Sequence, residues 1–233
     1  MGKDVMIACD FDSKEKLESF LMSFGDRRPF LKIGMELFYA TGPDIVKFLK
    51  DRGHKIFLDL KLHDIPNTVG KAMGVISQLG ADICNVHAAG TSEMMKAAVK
   101  AVTNEDGTKR TKIVAITQLT STSEERMQRE LLIMSNMEDT VIHYALNARN
   151  SGLDGVVCSP LEVEAVHKAC GKQFLTITPG IRFADSAKGD QVRIMTPLDA
   201  KKIGSDYIVV GRPITTAIDP VAAYNRCLQE FVD

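Results

Sequence analysis

An eight-stranded (β/α)8 barrel is the fold this sequence predicts, and three observations carry it. Short β-rich runs alternate with amphipathic helical segments eight times, in units of roughly 25–30 residues. The 233 residues contain no linker, low-complexity tract or charge block, so a single domain over 1–233 is the simplest division. The residues that close each β-rich run are polar, charged or turn-forming, as the rim of a barrel requires. The competing architecture is an open doubly wound sheet. No Gly-x-Gly-x-x-Gly follows the first run, and in an open sheet the run ends would spread along an edge rather than converge.

The strands are expected at Val5–Cys9, Phe30–Gly34, Lys55–Leu60, Ile83–Val86, Lys112–Gln118, Gly155–Cys158, Phe174–Thr178 and Tyr207–Val210. Amphipathic helical segments are expected at 13–24, 43–52, 65–79, 91–103, 136–151, 160–170, 196–204 and 219–232. Ser13 and Thr91 read as N-caps, and Pro43, Pro160 and Pro197 sit where a first helical turn tolerates a missing N–H. The polar, Met-rich stretch 121–136 predicts an extra helix or lid after the fifth strand.

Composition narrows the function classes. With 45% hydrophobic residues the chain can bury a sizeable core, and a net charge of −1 argues against a general nucleic-acid or membrane surface. A small phosphorylated ligand needs only a few local cations and stays open. Cys9, Cys84, Cys158, Cys170 and Cys227 are odd in number and form no Cys-x-x-Cys pair, which predicts a reduced, cytoplasmic protein. No secretory signal and no apolar run of membrane-spanning length is expected.

The chemistry concentrates at the strand ends, which in chain order carry Asp10, Lys32, Asp59 with Lys61, His87, Thr120, Ser159, Pro179 and Gly211 with Arg212. The third run begins apolar and then holds Asp59, Lys61 and Asp64 within six residues. Charges at a strand end cost desolvation energy unless they pair or work. Asp59 and Lys61 are two apart and leave one face of the strand. Asp64 lies beyond it and could serve this pocket or a neighbouring subunit's. A chain of alternating charge keeps lysines protonated and fixes a negative charge near a bound anion. A protonated lysine beside a carbon that gains negative charge is both stabiliser and proton donor, which suits decarboxylation.

A second group is phosphate-like. The seventh run enters Thr-Pro-Gly-Ile-Arg-Phe from Thr178, and the eighth enters Val-Val-Gly-Arg-Pro-Ile-Thr from Val209. Loops after the seventh and eighth strands are the common phosphate site of barrels. Gly211 permits close backbone approach, Arg212 supplies a fork of donors, and Pro213 opens a helix. The polar loop 184–193 has the composition of a mobile lid or of a plain surface loop. His63 could join Asp59 and Asp64 around a metal, but Lys61 would compete with the cation. His87 is expected to satisfy local hydrogen bonds, and no nucleophile elbow, P-loop or His-Glu-x-x-His motif is present.

These segments resemble the orotidine 5′-monophosphate decarboxylase family. The likeness rests on Asp-x-Lys-x-x-Asp-Ile-Pro-Asn-Thr over 59–68. It extends to Ile-Ala-Cys-Asp-Phe from Ile7, Leu-Lys-Ile-Gly-Met-Glu-Leu-Phe from Leu31, Thr-Gln-Leu-Thr-Ser from Thr117, and the two phosphate-like segments. It covers nearly the whole chain in order. The resemblance implies a homodimeric barrel without metal or organic cofactor that converts orotidine monophosphate to uridine monophosphate and carbon dioxide. It implies Lys61 as proton donor, Asp59 against the departing carboxylate, and Asp10 and Lys32 on the ribose hydroxyls. Asp64 and Thr68 would reach the partner's site, with Ile65 beside them as a substrate contact. Thr120 would read the pyrimidine edge, Pro179 would line the carboxylate pocket, and Gln191 would bridge base and phosphate from the lid. Arg212, the Gly211 amide and Arg182 would hold the phosphate.

Two rivals are open at this point. Magnesium-dependent sugar-phosphate enzymes such as 3-keto-L-gulonate 6-phosphate decarboxylase and hexulose-phosphate synthase share the strand-three signature. They carry an acid where this chain has Lys32, a cation that would repel magnesium. A non-catalytic nucleotide-phosphate binding barrel would need the phosphate site but not Lys61 with both aspartates.

Overall fold

The computed structural model describes residues 3–184 and 195–233. Eight parallel strands close on themselves in chain order: β1 (Asp4–Ala8), β2 (Phe30–Gly34), β3 (Ile56–Leu62), β4 (Ile83–His87), β5 (Lys112–Ile116), β6 (Gly155–Val157), β7 (Leu175–Thr178) and β8 (Tyr207–Val210). Closure is made by β1 pairing β8, with Asp4 beside Tyr207 and Ile7 beside Val210. The expected barrel and its eight strands are therefore present, their ends shifted by one or two residues.

Both faces of these strands are apolar because each face has its own core. Along β1, Val5, Ile7 and Cys9 point outward into the layer shared with the helices, while Met6 and Ala8 point into the barrel. The barrel interior is completed by Phe30, Phe57, Ile83, Val114, Leu175, Ile177, Tyr207 and Val209. Phe57 is 1% exposed, and burial of such a side chain contributes about 3 kcal/mol. The same two-residue period carries Phe30 to Lys32, Phe57 to Asp59 and Ile83 to Asn85. Each inward apolar residue is followed, one step nearer the C-terminal rim, by an inward polar one.

The helices are α1 (Lys14–Met22), α2 (Met35–Thr41), α3 (Asp44–Asp51), α4 (Pro66–Gln78), α5 (Thr91–Val102), α6 (Glu124–Glu130), α7 (Met137–Asn150), α8 (Val163–Cys170), α9 (Pro197–Lys202), α10 (Arg212–Thr215) and α11 (Pro220–Phe231). Ser13 caps α1 by accepting the Lys16 N–H, as expected, and Asp219 caps α11 through the Ala222 N–H. Thr91 is not a cap. It is the first residue of α5, with φ of 70°, and Gly90 stands at the cap. Helix α2 has no counterpart in the sequence reading, since seven residues are too few to establish a 3.6-residue period. The extra helix after the fifth strand is α6, capped by Ser123.

The N-terminal floor of the barrel carries a repeat that hydrophobic periodicity does not disclose. Gly80-Ala81-Asp82, Gly152-Leu153-Asp154 and Gly204-Ser205-Asp206 lead into β4, β6 and β8. In each, the glycine turns the chain at φ of 85–87°, and the residue after it is buried. The aspartate then accepts a backbone N–H of the preceding strand: Ile56 at 2.7 Å, Ile113 at 2.8 Å and Thr176 at 2.8 Å. Each carboxylate also meets a basic group: Lys50 at 2.8 Å, Lys109 at 2.9 Å and His167 at 3.3 Å. This floor holds adjacent strands in register and leaves the opposite rim free for chemistry.

Candidate active site

At the C-terminal rim the inward polar residues meet. The Lys32 ammonium, Nζ, donates to Asp10 Oδ1 at 2.9 Å and lies 3.4 Å from Asp59 Oδ2. The other oxygen of Asp59 accepts from Lys61 Nζ at 2.8 Å. The order Asp10–Lys32–Asp59–Lys61 thus alternates in sign over three neighbouring strands. Gly34 makes this possible, because a Cβ there would stand 2.9 Å from Lys32 Nζ and 3.0 Å from Asp10 Oδ1.

Burial sets the electrostatics. Desolvation pulls the Lys32 ammonium toward neutrality, but Asp59 and Asp10 outweigh it and raise its pKa above the ordinary lysine value. Desolvation likewise pushes Asp59 up, and the two lysines together with the Asn85 amide more than reverse it, leaving its carboxyl below the ordinary range. The Asp59 side chain is 12% exposed and that of Asp10 is 54%, so the chain runs from a dry interior to a wet mouth.

Strand β3 reaches this arrangement by bulging. Leu58 pairs with Cys84 and Leu62 with Val86, so four residues of β3 cover the length of two on β4. Within the bulge Lys61 takes φ of 53°, a left-handed conformation that costs a residue with a side chain about 1–3 kcal/mol. Its N–H, lost from the ladder, donates to Asn85 Oδ1 at 2.7 Å. The same Asn85 donates through Nδ2 to Asp59 Oδ1 at 2.6 Å and is fully buried. Sequence reasoning missed this residue. Its signal was an amide inside the apolar run Ile-Cys-Asn-Val-His.

A cavity of about 250 Å³ opens over the chain. Its lining joins Lys32, Asp59 and Lys61 to Gln118, Thr120 and Pro179, with Phe57 and Val209 of the barrel core also lining it. Thr120 and Pro179 line the same cavity as the charges. Gln118, buried beside Thr120, was not anticipated.

The remaining expected residues, among those described, do not line this cavity. Asp64, Ile65 and Thr68 are exposed and do not line the cavity of their own chain. Asp64 Oδ1 accepts the Ile65 N–H at 2.6 Å, and Ile65 presents 64% of its surface to solvent. Gly211 and Arg212 follow β8, with Arg212 exposed as the first residue of α10. Arg182 is only 9% exposed and donates to the Ile181 carbonyl at 2.8 Å. Gln191 and the expected lid from 185 onward lie outside the described residues. His87 does not satisfy its hydrogen bonds as expected. Its buried Nδ1 meets no partner among the described residues, and the ring stacks on His63 with centroids 5.4 Å apart. Burial, then His63 and Lys61, lower its pKa and hold it neutral.

Among the described residues no three His, Cys, Asp or Glu side chains are grouped to hold a metal ion. All five cysteines are buried and free.

Comparison with known proteins supplies the last observation. The model of the orotidine 5′-phosphate decarboxylase / HUMPS family matches residues 3–227. The chain belongs to this family. A protein of Geobacillus sp. (strain WCH70) named orotidine 5′-phosphate decarboxylase is 52% identical over 233 residues, covering 99% of this chain and 98% of that one. One of the same name from Streptococcus pneumoniae (strain ATCC 700669 / Spain 23F-1) is 55% identical over 227 residues, covering 97% and 95%. The crystal structure of orotidine 5′-phosphate decarboxylase from Lactobacillus acidophilus superposes with a TM-score of 0.88 at 43% identity, covering 99% of this chain and 100% of that one. Within the orotidine 5′-phosphate decarboxylase / HUMPS family, these relatives all bear the decarboxylase name.

Proposed function

We propose that the decarboxylation of orotidine 5′-monophosphate to uridine 5′-monophosphate and carbon dioxide runs at the Asp10–Lys32–Asp59–Lys61 chain, with Lys61 as proton donor. The observation that carries this reading is the alternating ion-paired chain, of which Lys32, Asp59 and Lys61 line a cavity that also reaches the apolar Phe57 and Val209. The bond from the pyrimidine ring to its carboxylate breaks, its electron pair stays on the ring carbon, and carbon dioxide leaves. Lys61 then delivers an ammonium proton to that carbon and regains one from solvent. The carbanion has little resonance help, so fixed cations must stabilise it electrostatically. Asp59 faces the substrate carboxylate and destabilises the ground state, a cost met by binding energy from the remote phosphate.

Asp10 and Lys32 take the ribose hydroxyls, Thr120 the base edge, and Pro179 the carboxylate end. Arg212 and the Gly211 amide hold the phosphate, and Gln191 bridges base and phosphate, as the resemblance implies. Arg182, which also donates to the Ile181 carbonyl, helps at the phosphate end. The chain works as a homodimer in which Asp64 and Thr68 enter the partner's site, with Ile65 a substrate contact beside them. Their exposure beside their own rim, with an uncovered Ile65, favours this arrangement. The reading needs neither metal nor organic cofactor, and the commitment of both Asp59 oxygens to lysines and Asn85 leaves that carboxylate no site for a metal ion. A reducing cytoplasm suits five free cysteines and a biosynthetic role. No helix among the described residues is long and apolar enough to cross a membrane.

The test is ultraviolet absorbance of orotidine monophosphate with purified protein in excess EDTA. Loss of the orotate band with formation of uridine monophosphate is expected. Activity only on a sugar phosphate with added magnesium would move the assignment to the magnesium-dependent branch. Tight binding of uridine monophosphate without turnover in either assay would leave a binding protein.

A further inference from the structure

We propose that Asn85 is a positioning residue for the decarboxylation, setting the aim of Lys61 and Asp59 with one carboxamide. The inference rests on the reading of Lys61 as proton donor.

Asn85 sits on β4, one inward step above the core residue Ile83 and level with the bulge of β3. A bulge in the middle of a buried strand frees backbone groups from the ladder, and an unpaired buried N–H is costly. The freed group here is the N–H of Lys61, and Asn85 Oδ1 takes it at 2.7 Å. That bond supports a lysine backbone at φ of 53°, which a side-chain-bearing residue does not keep unless its surroundings over-determine it. The other end of the carboxamide donates to Asp59 Oδ1 at 2.6 Å, the oxygen that also receives Lys61 Nζ at 2.8 Å. One rigid planar group therefore closes a ring: Lys61 backbone, Asn85, Asp59 carboxylate, Lys61 ammonium.

A merely structural asparagine would be expected to pair with ordinary ladder groups. Asn85 instead spends both ends on the residues of the reaction, and it lies at 0% exposure where substrate has no direct access. Only an amide does this. Aspartate would keep the acceptor for the Lys61 N–H but face Asp59 with a second carboxylate, and leucine would satisfy neither. The donor to Asp59 also favours its charged form, so loss of that donor moves the acid limb of activity to higher pH.

The test compares Asn85→Ala, Asn85→Asp and Lys61→Ala with the unmodified protein. Turnover of orotidine monophosphate from pH 4 to 9 and equilibrium binding of uridine monophosphate are measured on each. For both Asn85 variants kcat should fall about 10–100-fold, the loss expected of a hydrogen bond to a charged group. KM and product binding should stay within about threefold, and the acid limb of kcat should move up. Wild-type kcat and an unmoved acid limb in both variants, with Lys61→Ala inactive, would overturn the Asn85 role alone. Retained turnover in Lys61→Ala would instead overturn the proton-donor reading beneath it. Should the variants fail to bind product, nitrogen-15 spectra of the unmodified protein decide the matter. The Asn85 carboxamide protons should exchange slowly with water, and free exchange would overturn the clamp.

Discussion

Replacing Asp59 by asparagine is the perturbation whose size the structure best defines. Asp59 lies between two ammonium groups at 2.8 and 3.4 Å. At an effective dielectric of about 20 each contact is worth about 5–6 kcal/mol before desolvation is subtracted. Removing one member of a buried pair costs about 3–5 kcal/mol net, because the remaining charge is left uncompensated. Lys32 bears most of this, since its side chain is 12% exposed whereas that of Lys61 is 29% exposed. Lys32 keeps Asp10 at 2.9 Å, which places the expected cost near the lower bound, about 3 kcal/mol. For a chain of this length that is a fall in Tm of about 6–12 °C. The pH dependence has a definite sign. Asp59 titrates below its ordinary value of 3.8, so its stabilisation is complete above that value and disappears as pH falls through the lower folded value. The gap between Asp59→Asn and the unmodified protein should therefore be widest at neutral pH and narrow in acid. Urea melts at pH 7 and at pH 3–4 measure it, with kcat on the same samples. A difference under about 0.5 kcal/mol at pH 7, or one that widens in acid, would refute the electrostatic reasoning.

The other expectations are simpler. Lys61→Ala should lower kcat by about 10⁴-fold or more while uridine monophosphate still binds, because both proton delivery and a fixed cation are lost; single-turnover absorbance reads this. Arg212→Ala should lower kcat/KM by about 10–100-fold, and a guanidinium salt added to the assay should recover part of it. Asp154→Asn, at the opposite end of the barrel, should cost about 1.5–3 kcal/mol in urea melts with kcat unchanged, since it loses the charge that holds Lys109.

By itself the sequence determined the barrel and the identity of most of its rim. Eight apolar runs at regular spacing admit few topologies, and the two-residue period of β2 and β3 projects Lys32 and Asp59 inward, whereas Lys61 reaches the same cavity through the bulge. Those are local properties, and composition and spacing carry them. The tertiary structure decided what depends on distances between residues far apart in the chain. Asn85 became visible only when β4 lay beside the bulge of β3, a register that neither strand encodes alone. The floor aspartates are ordinary turn residues until their carboxylates meet the N–H groups of the preceding strands, 26 to 41 positions away. Asp64, Ile65 and Thr68 read as part of one charged motif with Asp59. The end of β3 and the proline that starts α4 carry them to the surface, one of the two placements that the sequence left open for Asp64. Sequence names the groups that do chemistry because their types conflict with burial. Only the folded chain determines which of those conflicts are resolved by a neighbour across the sheet.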